Sequence, residues 1–301
     1  MLRILIFLFA TIPFTSLAQK DDLYFFCTPD SAVFGVRNAA GVVVIPARYH
    51  AFGYECGMKI TSREIILWDT AGPYPHDSLF FSYGVKVFNR QGKFLYSPYW
   101  FDNMPDYYVE GLRRFVENGK MGMADRFGNK IIPAKYNMLD PPYRGYILAC
   151  LNCRYALWTY IDEEHCCGYR GSEHVLLTRN GNIVKYIHDS DVWLNDSFLT
   201  TTVPPLVFTA TEKKLIQNLS SLRPVREYLR TGKKHDSNAP PHPTVLERPS
   251  QHSPYYLIAF KDRGSLDKEY EFLISPDGKT IRHLLDDGED EPLSKWWLMK
   301  R

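Results

Sequence analysis

The sequence predicts a mainly β protein: antiparallel β-meander repeats forming a curved or propeller-like sheet, with one short helix near residues 211–223 and a C-terminal β segment. Three observations carry this reading. Phe34-Gly35, Gly41, Pro46 and Tyr49 have the same internal spacings as Met121-Gly122, Gly128, Pro133 and Tyr136, and fixed spacing of this kind marks a copied supersecondary unit that buries its apolar face on neighbours. Short β-branched and aromatic runs alternate with Gly, Asn and Pro through most of the chain, the pattern of strands and tight turns. One stretch places Leu215, Ile216, Leu219 and Leu222 on a single helical face before Pro224 interrupts it.

Residues 1–18 read as a signal peptide cleaved after Ala18. Arg3 supplies the positive start, residues 4–10 an apolar run, and Ser16-Leu17-Ala18 the small-residue cut before Gln19. The run is followed by Pro13 and falls short of the roughly 20 residues that span a bilayer. The first cysteine is Cys27, so no lipid-anchored residue follows the cut. The expectation is a periplasmic or secreted protein with no transmembrane segment after signal removal. Beyond the leader, residues 19–145 form the β-repeat region, 146–230 a degenerate repeat with a Cys-rich hairpin and the helix, 231–254 a Pro-rich linker or loop, and 255–301 the C-terminal β segment.

The first unit turns over residues 38–41 and returns along the β-branched residues 42–45. A degenerate copy is read at Tyr83-Gly84, Gly92 and Pro98, with two extra residues before the turn glycine and one after it. The clearest unit spans 111–136. Residues 112–117 and 120–125 are strands joined by Asn118-Gly119, a pair suited to a two-residue hairpin because both positions need positive φ. Gly128 reverses the chain again, and Pro133, lacking an amide proton, ends the ladder or marks an edge. Echoes around Asn180-Gly181 and Asp277-Gly278 keep only a hairpin. Thr211 is the expected N-cap of the helix, with Glu212 in its first turn, and residues 225–229 extend it by a turn or two.

Residues 111–136 resemble bacterial WG-repeat proteins, in a Gly-Leu strand, an Asn-Gly-Lys turn, an aromatic-Gly pair, a Gly-centred hairpin and an Ile-Pro-x-x-Tyr close. Phe34, Tyr83 and Met121 stand at the family's Trp position. The resemblance implies a β-rich repeat scaffold and no shared active site.

Six cysteines in an exported chain favour disulfides. The expected pairing is Cys27 with Cys56, and nested bridges Cys150 to Cys167 and Cys153 to Cys166 that staple a hairpin. Zinc or a redox-active CxxC at Cys150 and Cys153 is the rival use of these residues. The second half offers no further CxxC or HxxxH, so no metal or cofactor is assigned.

The balance of 36 Lys+Arg against 34 Asp+Glu, from which the leader removes only Arg3, lacks the basic surplus a nucleic-acid partner requires. Asp162-Glu163-Glu164-His165 reads as a solvated loop, and Asp286-Asp287 with Glu289-Asp290-Glu291 as an acidic exposed turn. His174 and His188 flank the Asn180-Gly181 hairpin without an assigned role. Asn195-Asp196-Ser197 and Asn218-Leu219-Ser220 match a glycosylation triplet by coincidence. No Gly-x-Ser-x-Gly elbow presents a serine. The doublets Tyr107-Tyr108, Tyr255-Tyr256 and Trp296-Trp297, read as strand residues, must send one ring to each face. The expected function is therefore non-enzymatic: a binding or scaffold module for an envelope protein or glycan. The alternative is an envelope hydrolase with its site in residues 150–190.

Overall fold

A computed structural model describes residues 22–30, 33–51, 53–69, 84–101, 104–157, 167–188, 198, 201–203, 207–231, 242–250, 253–261, 270–285 and 287–299. The expected leader, residues 1–18, lies outside them. The protein is mainly β, its strands antiparallel and distributed over several sheets, none of which closes into a barrel among the described residues. The chain divides between Thr61 and Ser62 into two compact units.

The first unit holds β1 (Leu23–Cys27), β2 (Phe34–Asn38), β3 (Val43–Tyr49) and β4 (Lys59–Ile60), in the order β3-β2-β1-β4. Leu23, Phe25, Val36, Ile45, Tyr49 and Ile60 are buried in it. The expected Cys27–Cys56 bridge is present, with its Cα atoms 5.7 Å apart. Closing a loop of that length stabilises a fold by roughly 3–4 kcal/mol.

The second unit starts with β5 (Glu64–Trp68), β6 (Val85–Asn89), β7 (Phe94–Pro98), the short pair β8 (Trp100–Phe101) and β9 (Met104–Pro105), β10 (Leu112–Glu117), β11 (Lys120–Asp125) and β12 (Lys130–Tyr136). Apart from β8 and β9 these form one sheet, β12-β11-β10-β7-β6-β5. Next come β13 (Met138–Leu139), β14 (Tyr146–Cys150), β15 (Arg154–Leu157), β16 (Cys167–Arg170), β17 (His174–Thr178) and β18 (Ile183–Ile187). A four-stranded sheet runs β13-β14-β17-β18, and β15 pairs with β16 alone. The chain closes with α1 (Ala210–Ser221), α2 (Arg223–Thr231), β19 (His242–Glu247), β20 (Tyr256–Lys261), β21 (Glu271–Ile274), β22 (Ile281–Leu284), β23 (Asp290–Pro292) and α3 (Leu293–Met299). The last five strands make a sheet in sequence order. Leu215, Leu219, Val225 and Trp296 pack from the helices onto Phe260, Phe272 and Ile274 of that sheet.

Several expectations are corrected here. The helix is capped by Thr209 rather than Thr211: the Thr209 hydroxyl accepts from Glu212 N at 3.2 Å, and Thr209 N donates to the Glu212 carboxylate at 2.8 Å. This is a reciprocal capping box, which satisfies two otherwise orphaned donors. The interruption expected before Pro224 falls at Leu222, where α1 ends, and helix resumes over residues 225–229 as expected; Pro224 sits in the first turn of α2, where its missing N–H is harmless. Residues 242–247, expected inside the linker at 231–254, are β19, paired with β20 from His242↔Lys261 to Thr244↔Ala259. Trp296 and Trp297 lie on a helix, not a strand.

The hairpins share one geometry. In β2–β3 the pairs are Phe34↔Tyr49, Val36↔Ile45 and Arg37↔Val43; in β11–β12 they are Met121↔Tyr136, Met123↔Ile132 and Ala124↔Lys130, with register shifts at the same places. Val87↔Tyr96 and Phe88↔Phe94 in β6–β7 follow the same spacing. The place of Phe34-Gly35 therefore falls on Val85-Lys86, not on Tyr83-Gly84, and no insertion precedes Gly92. Each turn works alike. The amide of Gly41, Gly92 or Gly128 donates to the carbonyl of Asn38, Asn89 or Asp125, at 2.9 Å in each case. The glycine takes φ between 77° and 84°, the left-handed position that completes a three-residue hairpin. The Asn38, Asn89 and Asp125 side chains accept the amides of Val42, Lys93 and Asn129, each at 2.9 Å, so a short polar residue three positions before the glycine presets the turn. Asn118 and Gly119, with φ of 51° and 68°, form the expected two-residue turn between Glu117 and Lys120.

Gly35 and Gly122 serve a different need, because a ring on the preceding strand lies across each. A Cβ at Gly122 would stand 2.5 Å from Ile132 O and 2.6 Å from the Phe115 ring; one at Gly35 would stand 2.6 Å from Ile45 O and from the Phe26 ring. Gly122→Ala should therefore lower stability by about 3 kcal/mol through overpacking, against about 1–2 kcal/mol for Gly119→Ala, which faces open space and suffers only its left-handed φ. Urea denaturation of the two variants checks the order.

Candidate functional site

The second unit buries an ionic cluster that no sequence spacing announces. Glu64 from β5, Tyr96 from β7, Arg113 from β10 and Tyr108 from the loop before β10 converge, each at most 8% exposed. One Glu64 oxygen accepts from Tyr108 at 2.6 Å and Tyr96 at 3.0 Å, and the other accepts from Arg113. The two hydroxyls stand 2.8 Å apart, and the guanidinium lies 4.1 Å from the Tyr108 ring centroid. Burial pushes both tyrosine hydroxyls well above their ordinary range, with Arg113 opposing and Glu64 adding to the rise. They are thus neutral donors at any physiological pH. The set is desolvated and hydrogen-bonded through Glu64, with the Arg113 Nε left without a partner among the described residues, and it acts as a pin joining β5, β7 and β10.

A second node centres on Glu110, which is fully buried. Its carboxylate accepts from Arg144 N at 2.7 Å and Gly145 N at 2.8 Å, its amide donates to Glu271 at 3.2 Å, and its carbonyl accepts from Arg179 at 3.2 Å. Arg179 also pairs with Glu247 at 2.5 Å. The stretch Glu289-Asp290-Glu291, expected as an exposed turn, is corrected in the same sense. Asp290 and Glu291 lie in β23 and Glu289 immediately precedes it. Asp290 takes Arg63 and Arg282, Glu289 takes Arg63, and buried Glu291 sits 3.3 Å from His283 and 3.1 Å from Lys295. The carboxylates are spent on cations of the protein itself. Asp287 is exposed, and Asp286 lies outside the described residues.

The β8–β9 pair carries two exposed apolar side chains over a cluster of rings. Phe101 faces Met104 across it, and these two are 40% and 66% exposed. Tyr107 meets Phe101 edge-on, with centroids 6.1 Å apart, and Trp68 meets Trp100 edge-on at 6.4 Å. Beneath them the Arg114 guanidinium lies 4.8 Å from the Tyr99 centroid and 5.3 Å from that of Phe101. Buried Asp106 holds Arg114 in a bidentate pair at 2.8 and 2.9 Å. Burial acts to lower the Arg114 pKa, but Asp106 outweighs it and keeps the group charged. The arrangement fixes a ring face and an apolar side chain in water on a rigid cationic base. Of the tyrosines expected to split between faces, Tyr108 is buried, while Tyr107, Tyr255 and Tyr256 are half-buried.

The cysteines depart from the nested pattern. Cys150 bonds Cys153 directly, with Cα atoms 5.6 Å apart. The nested bridges fail on register: Cys150 lies opposite His174, and Cys167 lies opposite Leu157 in a separate ladder. β15 and β16 do pair, from Arg154↔Arg170 to Leu157↔Cys167, through their backbones. Cys166, Asp162, Glu163, Glu164, His165 and Asn195-Asp196-Ser197 lie outside the described residues. His188 is exposed just past β18, and the His174 ring instead approaches Cys153, with Nε2 3.8 Å from Sγ. Asn218 sits on α1, half-buried, where a Cβ on Gly278 would stand 2.9 Å from its amide nitrogen. No family model matches the chain, and no curated protein is significantly similar to it. No helix among the described residues is long and apolar enough to cross a membrane.

Two predictions follow from the charges. Glu64→Ala leaves Arg113 buried without its partner and should cost about 3–5 kcal/mol in urea denaturation. Asp140, half-buried beside Arg114, has its carboxyl pushed up to about 6 by desolvation, with Arg114 opposing. The folded chain therefore keeps a proton that the unfolded chain releases between about pH 4 and pH 6, so stability falls as pH rises through that window. Asp140→Asn should gain on the order of 1–2 kcal/mol at about pH 7.5, and denaturation repeated near pH 4 should show the gain gone.

Proposed function

We propose that the protein is an exported, non-enzymatic β-repeat module of the WG-repeat kind that binds a protein or glycan of the cell envelope. The observation that carries the reading is the β8–β9 hairpin, where Phe101 and Met104 stand in water on rings and an arginine that are already immobilised. Solvent-exposed rings stack on sugar faces or anchor a partner's apolar side chains, and ordering them in advance reduces the entropy lost on binding. Support for the repeat comes from the matched registers of β2–β3, β6–β7 and β11–β12. Support for export comes from residues 1–18 and from a disulfide that closes a long loop.

The alternative, an envelope hydrolase with its site in residues 150–190, would need Asp162, Glu163, His165 or His188 in one pocket. His188 is exposed, and the other three lie outside the described residues.

The test is a glycan array together with pull-down on purified envelope proteins, comparing the wild-type chain with Phe101→Ala/Met104→Ser. The double variant should keep its thermal midpoint within about 1–2 °C, since both side chains are exposed, and lose at least about tenfold in affinity for whatever the wild type retains. Retention unchanged by the substitutions would dismiss the hairpin as the site.

A further inference from the structure

Cys150 ends β14, and the chain turns through exposed Leu151 and Asn152 to Cys153. This short loop is clamped from several sides. Leu151 N donates to Glu173 O at 2.9 Å, Glu173 N donates to Asn152 Oδ1 at 3.2 Å, and Asn137 Nδ2 donates to Cys153 O at 2.9 Å. A Cβ on Gly171 would stand 2.8 Å from the Cys153 Cα, so the backbone of the β17 approach lies directly against the loop. The clamp sets Cys153 beside the first residue of β17, His174, which is also the cross-strand partner of Cys150.

The result is a three-donor cluster. Both sulfurs and a ring nitrogen of His174 lie within 4.8 Å of one another, and both cysteines are at most 3% exposed. A disulfide needs only the two sulfurs. The imidazole is surplus to that bond, yet ladder register and loop clamp together bring it to the site. Two thiolates and an imidazole are the soft donor set of a closed-shell thiophilic cation. Around such an ion the donors sit about 3.5–3.8 Å apart, given metal–ligand distances of about 2.0–2.3 Å. The Cys153 to His174 spacing of 3.8 Å already meets that requirement, and the Cys150 sulfur, once released from its bond, reaches its place by side-chain rotation.

We propose that the reduced form of this site binds one thiophilic d10 cation, Zn2+ or Cu+, through Cys150, Cys153 and His174, and that the Cys150–Cys153 disulfide is its closed, metal-refusing state. Opening consumes two electrons and two protons from a dithiol, which is itself oxidised to a disulfide, and yields two thiols. Metal entry then releases the two thiol protons to solvent. The sulfurs are sheltered, so the exchange enters over the exposed Leu151-Asn152 turn. The site is separate from the β8–β9 hairpin, and its test reads nothing that depends on partner binding.

The full-length chain is reduced with a water-soluble phosphine under argon, desalted, and titrated with Zn2+ against a chromophoric chelator and with Cu+ against a bicinchoninate competitor. Near-UV circular dichroism verifies the fold. Expected are one ion per chain in the reduced wild type and none in the oxidised wild type. Affinity should fall at least about tenfold in His174→Ala and in Cys150→Ser, and stay unchanged in Cys166→Ser/Cys167→Ser. The bound ion should also raise the thermal midpoint of the reduced wild type but not of His174→Ala. The proposal is overturned if the reduced protein takes up neither ion, if the oxidised protein binds equally, if His174→Ala binds as tightly as wild type, or if the Cys166/Cys167 variant abolishes uptake.

Discussion

A buried carboxylate must find donors wherever the chain takes it, and Glu110 makes that constraint the organiser of the second unit. Its residue has left-handed backbone, φ 50°, unusual for a side chain that could instead lie in water. The geometry persists because every polar group of the residue is engaged: two amides of the Arg144-Gly145 turn, the Glu271 carboxylate of β21 and Arg179 beyond β17. Displacing any of these segments would strand a charge in a desolvated site, a penalty of several kcal/mol. Apolar burial is non-directional and would tolerate many packings. The carboxylate selects among them.

The same logic repeats at Glu64, where two neutral tyrosines and one arginine saturate a single side chain, and at Asp106, which fixes Arg114 under the β8–β9 rings. In each case an acid on one segment dictates the position of a cation and rings on another. The proposed binding surface draws on this rigidity: the Phe101 ring lies over Arg114, which Asp106 holds in a bidentate pair. The candidate metal cluster obtains its third donor in the same indirect way, from strand register and a hydrogen-bonded loop.

How much of this was legible depended on whether the cause was local. The turns were readable because Asn118-Gly119, Gly41 and Gly128 announce positive φ in two or three adjacent letters, and β10 and β11 have the bounds expected. In β6–β7 the sequence offers Gly84 as its landmark, whereas the pairing follows Val87 and Tyr96, neither of which is a turn residue. Thr209 and Glu212 hold the capping-box spacing in the sequence itself, but Thr211, nearer the apolar face, offers a competing cap. The helix carrying Trp296 has only seven residues and exists through packing on Phe272 and Tyr270, which no local propensity encodes. The Glu64 cluster and the pairing of Asp290 with Arg63 join residues at unrelated spacings, so their partners are invisible without the sheet topology, whereas the Cys150–Cys153 bond closes the CxxC that the sequence offers as the rival to the nested bridges.

Pro46 and Pro133 occupy the outermost strands β3 and β12 of their sheets, and both are exposed. Each removes a hydrogen-bond donor at mid-strand, which weakens any ladder a second molecule could build on that border. The border at β18 carries no such guard: Ile183, Val184 and Tyr186 face solvent there with Lys185 as the lone charge among them. In concentrated solution, edge-to-edge self-association is thus hindered along β3 and β12 and less opposed along β18.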